Sequence, residues 1–457
     1  MLPLIDLMER AVKGNMVSER DYNFKILFPA VKKIITKYNI AYNPEEPVCG
    51  DDKLADSIYN GACELLAESG IYCEETNRII HIEEHEIQKS VRDYSGGVTF
   101  GEGKDCGSIR LRTPGDSTLP WFHVGTGIVA SSEDIALAQV EGYGGIGEAN
   151  SISIPACSRV RGLPVMGGSP LEILATVNSI KAGRKALANC GRPGLPIMNL
   201  ISSATSSMST IAGAHPLFGL RASDGWLIDF IAEMKVNFDT LNRLSFIHII
   251  GGNVGSTALP VLGGYAGGPE GTALVMTAYY LAGMFLFGGA YHLTGPIHFQ
   301  YGCSSTRDSL WVLSVVGRAT SRNTSYPAIG LAYAAAGPCT SMYFYEAAAA
   351  NLSIVTSGYA GVQTVHPAKA VINDKVTPLE AQFNVDVARA ASCMDQEEAN
   401  QAVLSLLDKY EHHIGNAPAG KKYQDCYDLV SRKPAEEYVN MYNEIKEEIA
   451  VLGIELE

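Results

Sequence analysis

His292 and His298 flank the run Leu293-Thr294-Gly295-Pro296-Ile297 inside a stretch, residues 271–306, that contains no Asp, Glu, Lys or Arg. An imidazole exchanges protons near neutral pH. Buried singly it is more often a satisfied core residue than a functional one. Two of them at a strand end beside Gly-Pro, with Arg307 and Asp308 close behind, make a candidate site. Glu270 and Glu346 are the sole carboxylates of two further charge-poor stretches. A carboxyl group in apolar surroundings must pair, take up a proton or do chemistry. His292, His298, Glu270 and Glu346 are therefore the candidate catalytic groups. Tyrosines crowd the same half, Tyr291, Tyr301, Tyr333 and Tyr345 among them. Most belong to a core, and a few fit an aromatic box for an alkylammonium ion.

Other patterns carry less. Gly142-Tyr143-Gly144-Gly145-Ile146-Gly147 has dinucleotide-binding spacing, which works only with a strand before it and a helix after it. Helical text over 134–140 precedes it, so a glycine-rich turn is expected. His81-Ile82-Glu83-Glu84-His85 spells an inverted zinc-peptidase helix, but it lies in a highly charged segment and reads as a solvated helix face. Ten cysteines are scattered without a CxxC pair, against a zinc knuckle or disulfide framework and for reduced thiols in a cytoplasmic protein. No metal site is expected.

The elements that must position these groups are marked by charge. The 457 residues include 35 Lys+Arg and 49 Asp+Glu, only 18% charged, against roughly 25% in an average soluble protein. Just 13 of those charges fall within residues 193–367, so this middle is expected to be deeply buried. The apolar run 273–287 leads into Gly288, Gly289, Gly295 and Pro296. It suits a buried helix followed by strand and loop better than a membrane span, which needs about 20 predominantly apolar residues. Asp6 and Glu9 near the start make export unexpected. A net charge of −14 disfavours nucleic acid and weakly favours cationic substrates.

Residues 1–95 read as a helical cap of charged amphipathic helices, including Asp52–Ser69 and Glu84–Asp93. Residues 96–128 turn to Gly, Thr and aromatics, with the alternation of one or two hairpins. A unit then recurs: a short apolar segment, glycine, and a capped helix. Ser169-Pro170-Leu171-Glu172 and Thr377-Pro378-Leu379-Glu380 share one start signal, with Pro at the first helical position and Glu to complete a capping box. Strands are expected at 195–201, 246–250, 291–293, 328–332 and 362–365, and helices at 226–234, 272–287, 309–318 and 342–353. Apolar strands alternating with helices imply parallel βαβ units buried on both faces. Over this length they suit one (β/α)8 TIM barrel across 96–380 better than an open doubly wound sheet, with C-terminal helices over 381–457 packed on it.

Gly70-Ile71-Tyr72-Cys73, the run from Gly263 to Pro269-Glu270, Tyr291 to His298 with Ser305-Thr306-Arg307, and Ala336-Gly337-Pro338-Cys339-Thr340 stand collinear along the chain. Ala417 to Lys421 and Asp425-Cys426-Tyr427-Asp428 extend the series nearly to the end. Together they resemble the monomethylamine:corrinoid methyltransferase family of methanogens. The resemblance implies an oligomeric TIM-barrel enzyme that moves a methyl group from a small methylated amine to the Co(I) of cobalamin carried by a separate corrinoid protein. It implies no tightly bound cofactor on the chain itself. Glu270, His292, His298, Arg307 and Glu346 match its pattern.

The departures narrow the expected chemistry. Those enzymes carry pyrrolysine a few residues after a Gly-Arg-Pro-Gly like that at 191–194, and its imine is thought to hold the amine. Counting along puts Met198 there, and no unusual residue occurs in the sequence. The acidic and amide residues expected nearby fall at Thr257 and Leu331. With Arg307 and Tyr333, these make Met198, Thr257 and Leu331 the candidate substrate-binding residues. Co(I) is a strong nucleophile, so the protein must supply orientation, dehydration and a good leaving group. A quaternary ammonium provides the last itself, because it departs as a neutral amine. The expectation is a pyrrolysine-independent methyltransferase for a quaternary or otherwise preactivated N-methyl compound. Two alternatives stay open: a barrel with lyase, hydrolase or demethylase chemistry around His292, His298 and Glu270, and a non-catalytic small-molecule binding protein.

Overall fold

The computed structural model describes residues 2–199 and 206–456, and its largest sheet has eight short parallel strands. They are β1 (Trp121–Val124), β2 (Ser151–Ile152), β3 (Met198–Asn199), β4 (Gly225–Asp229), β5 (Asn253–Ala258), β6 (Tyr291–Thr294), β7 (Ala328–Gly330) and β8 (Gly361–Gln363). Each is followed by a helix: α1 (Glu133–Gly144), α2 (Pro170–Asn189), α3 (Ser207–Gly213), α4 (Phe238–Ile249), α5 (Pro269–Phe287), α6 (Arg307–Asn323), α7 (Ser341–Thr356) and α8 (Pro378–Ala391). Every strand pairs with its sequence neighbour, and β8 returns to β1 with Gln363 opposite His123. The remaining seam is closed by a parallel bridge between Ile152 and Ile197, and Ile152 N–H donates to the Pro196 carbonyl at 3.0 Å. This is the expected (β/α)8 barrel.

Two expected elements change type. The 226–234 segment, expected as helix, is strand β4 and the loop after it, while 246–250, expected as strand, is the end of α4. Both are short apolar runs, for which periodicity does not separate a strand buried on both faces from a buried helix. The expected boundary after residue 380 falls inside α8. The capping box expected at its start is half seen, with Glu380 accepting from Thr377 N–H at 2.6 Å. At α2, Glu172 instead accepts from Gly168 N–H at 2.6 Å and from Ser206.

The charge-poor middle is the inner half of the molecule. From Gly271 onward every residue of α5 is buried, between the barrel and the helix Asp52–Ser69, where Gly61 lies against Leu274. A helix apolar all round is a core helix. It is the one described helix long and apolar enough to cross a membrane, and it lies inside the fold. Several of the sparse charges bind the outer layers: Arg318 pairs with Asp52 at 2.6 Å, Arg322 with Asp56 at 3.2 Å, and Arg307 with Glu411 at 2.8 Å.

One end of the barrel is plugged. The hairpin Thr99–Phe100 with Gly107–Ser108 sets Phe100 against Trp121 and Tyr291, at ring-centroid distances of 5.8 and 5.6 Å. Gly101 and Glu102 N–H donate to the carbonyls of Ser223 and Gly194, which precede β4 and β3. Glycine makes room inside: a Cβ on Gly255 would lie 2.2 Å from the Tyr291 ring, and one on Gly225 2.6 Å from Met198. With the N-terminal end filled, a site falls to the other end, where barrel enzymes carry their catalytic groups.

Candidate active site

Strand alternation decides which side chains look into the barrel. On β6, Tyr291 and Leu293 join the interior cluster, so His292 points outward to the helices. Its Nδ1 is 2.7 Å from Ser256 Oγ, its ring meets Tyr280 edge-on at 5.6 Å, and Gly283 of α5 lies against it. Burial pushes its pKa down to about 3. His292 is thus a neutral histidine between barrel and helices, and the expectation that it shares a site with His298 is corrected.

The other candidate catalytic groups are also dispersed. His298 sits above the barrel on a short strand pair, Ile297–His298 with Val261–Leu262. Its Nδ1 accepts from Gln300 N–H at 3.2 Å, and its Nε2 is 3.8 Å from Asp308. Glu270, in the first turn of α5, accepts from Tyr42 N–H at 3.2 Å. Glu346, fully buried in α7, accepts from the N–H groups of Ala335 and Ala336 at 2.6 and 2.9 Å and from the Ser305 hydroxyl. It holds the loops after β6 and β7 together, and burial raises its pKa to about 7. Arg307 is turned to Glu411 and to the Pro44 carbonyl at 3.1 Å. Its guanidinium joins the terminal extensions rather than facing a substrate.

The interior does gather other candidates. Leu331 lies in the inner cluster, with Leu227, Leu259 and Tyr333 packed against it. Thr257 stands between Asp229 and Leu293 in register and gives its hydroxyl to the Leu293 carbonyl at 2.8 Å, leaving its methyl as the free part. Tyr333 is half-buried with its ring 4.8 Å from His366, and burial pushes its phenol up to about 12. Met198 packs low in the same cluster, beside Gly225 and Tyr291 at the plugged end. Residues 200–205, which follow β3 in the sequence, lie outside the described residues.

Opposite this apolar wall stands a polar one that the sequence did not disclose. His123 of β1 is 2.8 Å from Ser151 Oγ through Nδ1 and 3.0 Å from Ser153 Oγ through Nε2, and Gln363 Nε2 donates to Ser153 at 3.3 Å. Trp121 Nε1–H donates to Ser151 at 2.7 Å. Ser151 accepts there and also shares a hydrogen bond with His123 Nδ1, since a hydroxyl oxygen can take part in both. Burial pushes His123 down to about 3 and His366 to about 4, so both are neutral at pH 7. Asp229 ends β4 on the interior side, in the alternation of Leu227, with its side chain 46% exposed. Arg243 approaches it to 3.9 Å while holding Asp239 at 3.0 Å. The open end thus combines leucines, one tyrosine ring, neutral polar groups and a carboxylate. Among the described residues no group of three or more His, Cys, Asp or Glu is placed to hold a metal.

Residues 2–454 match the model of the monomethylamine methyltransferase MtmB family. The chain belongs to this family. The MtmB1 monomethylamine methyltransferase of Methanosarcina acetivorans is 29% identical over 449 residues, covering 98% of this chain and 97% of that protein. MtmB of Methanosarcina mazei is equally similar, 29% over 449 residues with the same coverage. The crystal structure of Methanosarcina barkeri MtmB superposes with a TM-score of 0.95 at 28% identity, over 99% of this chain and 98% of that one. MtmB membership makes the protein a methyltransferase and accounts for the collinear segments, which fall in strand β6, in the loops over the barrel and in the extensions around it.

Proposed function

We propose that the protein transfers a methyl group from a quaternary ammonium, or a similarly preactivated N-methyl compound, to a corrinoid carried by a separate protein, without pyrrolysine. The observation that carries this reading is the lining of the open barrel end, where Leu227, Leu259, Leu331 and Tyr333 form an apolar and aromatic wall with Asp229 at its edge. A tetraalkylammonium has no N–H. It is recognised by apolar contact, an aromatic face and a nearby carboxylate, and a ring face contributes about 0.5–2 kcal/mol. The sequence holds no pyrrolysine. A primary amine would need its leaving group activated, whereas a quaternary nitrogen carries that activation as its charge.

Docked at the open end, the partner's corrinoid supplies Co(I) as the nucleophile. This chain holds the nitrogen against Tyr333 and Asp229, turns one N-methyl carbon outward and keeps water away. The electron pair of the breaking C–N bond leaves with nitrogen as a neutral tertiary amine, so no proton has to be delivered. That suits a lining whose histidines, His123 and His366, are held neutral. Met166, Tyr265, Phe299 and Val371 are exposed on loops at this end and suit an apolar partner surface. All ten cysteines are unpaired, which supports a reducing, cytoplasmic setting.

The test is methyl transfer to free cob(I)alamin, followed by its absorption change, from tetramethylammonium, choline, glycine betaine and monomethylamine. Transfer from a quaternary compound is expected. Turnover of monomethylamine alone, or of no compound, overturns the reading.

A further inference from the structure

One buried acceptor in the site has no donor among the described residues. Gln363 is 3% exposed and looks into the barrel between His123 of β1 and Leu331, which follows β7. Its Nε2 donates to Ser153 Oγ at 3.3 Å and to the Gly125 carbonyl at 3.5 Å. The Gly125 carbonyl only accepts, so the nitrogen must be on that side and the orientation of the amide is fixed. The other edge of the amide carries Oε1, which is buried and has no hydrogen-bond partner among the described residues. Toward the neighbouring strand lies Leu331, whose side chain has no donor and whose N–H is given to the Thr294 carbonyl at 2.9 Å. A buried carbonyl without a donor is costly, and a ligand that brings one removes the cost.

The other groups limit what that ligand is. Asp229 also only accepts when ionised, and Arg243, the cation beside it, is already engaged with Asp239 at 3.0 Å. A substrate carboxylate placed against Gln363 Oε1 would set an acceptor against an acceptor. A hydroxyl would satisfy Gln363, while the quaternary nitrogen lies toward Tyr333 and Asp229.

We propose that Gln363 is a specificity-determining residue whose side-chain carbonyl accepts a hydrogen bond from a hydroxyl on the substrate, so that the methyl donor is a hydroxyalkyl quaternary ammonium of the choline type and not a betaine. This rests on the function proposed above. The discriminating comparison needs only the unaltered protein: KM and kcat for methyl transfer to cob(I)alamin from choline, from its methyl ether (2-methoxyethyl)trimethylammonium, and from glycine betaine. Choline is expected to have a KM about tenfold below that of the ether, the scale of one hydrogen bond, at similar kcat. Gln363→Leu, checked for an unchanged melting profile, is expected to raise the choline KM about tenfold and leave the ether unchanged. Equal KM for choline and ether, or preference for glycine betaine, overturns the role of Gln363 while leaving quaternary methyl transfer standing. If none of the three compounds is demethylated, the functional reading fails, and calorimetric binding of choline against the ether still decides the donor rule: equal affinities overturn it.

Discussion

The Ser305 hydroxyl donates to the buried Glu346 carboxylate, which also accepts the N–H groups of Ala335 and Ala336 and so fastens the loop after β6 to the loop after β7. Burial raises the Glu346 pKa from its ordinary 4.5 to about 7 against the pull of these donors and of Lys369. The stabilising contribution of such a group is fully present below about pH 4.5. It is lost as the pH rises to about 7, because over that window the folded chain holds a proton that the unfolded chain has released. Each such group adds a slope of at most about 1.4 kcal/mol per pH unit. Glu233 and Glu380, raised to about 7 and 8 by burial, act in the same direction. His123, His292 and His366, lowered by burial to about 3, 3 and 4, act in the opposite direction up to about pH 6.5, so the effect of Glu346 is read by difference. The unfolding free energy of Glu346→Gln in urea, relative to the unaltered protein, is expected to rise between pH 5 and 7, and a difference that does not change with pH contradicts the assignment.

Glu346 also shows how a sparse charge misleads. Scarcity in the sequence identifies a carboxylate that is buried and needs partners, and here the partners are backbone amides. Arg307, Arg318 and Arg322 are likewise occupied in joining layers. The barrel was legible because apolar segments and capped helices alternate, and the starts of α2 and α8 were marked by Ser-Pro and Thr-Pro. Strands β1 and β2 were not legible: Trp121–Val124 and Ser151–Ile152 are too short for periodicity and lie in glycine-rich text. With them went His123 and Ser153. Asp229 stands out as one of the few charges of the middle, but the apolar run Trp226-Leu227-Ile228 before it is too short for periodicity to separate strand from helix.

His292 tests the outward assignment. Its contacts are Ser256, Tyr280 and Gly283, none of them in the barrel mouth. His292→Gln is expected to lower stability by about 1–3 kcal/mol through a disturbed buried hydrogen bond. Its kcat/KM for methyl transfer is expected to stay within about threefold. Loss of a general acid or base would cost roughly 100-fold or more, so a drop of that size in a folded variant returns His292 to the chemistry.

Met198 separates packing from binding. It is 1% exposed, against Gly225 and Tyr291 and near the Phe100 plug. Met198→Ala is expected to cost about 2–5 kcal/mol of stability as a large-to-small core change, and Met198→Leu less than about 1.5 kcal/mol. In both variants KM for the methyl donor is expected to be unchanged below the melting range. A KM that rises in Met198→Ala without loss of stability places the side chain in the pocket instead.

Tyr333 and Asp229 are the groups that a bound quaternary nitrogen would feel most. Tyr333→Phe keeps the aromatic face and loses only a hydroxyl that has no hydrogen-bond partner among the described residues, so KM is expected to move less than about threefold. Tyr333→Leu removes the face and is expected to raise KM about three- to thirtyfold, the range of about 0.5–2 kcal/mol for a cation over a ring. Asp229→Asn removes the negative charge at the edge of the mouth while keeping the shape. Because Asp229 is partly exposed, the attraction is screened, and its loss is expected to appear as a higher KM at low salt that converges with the unaltered protein as ionic strength rises. 3,3-Dimethylbutan-1-ol, an uncharged isostere of choline tested as an inhibitor, is expected to show an inhibition constant that neither Asp229→Asn nor ionic strength moves. If Asp229→Asn lowers kcat equally at every ionic strength and leaves KM alone, the carboxylate acts in the transfer step and not in holding the cation.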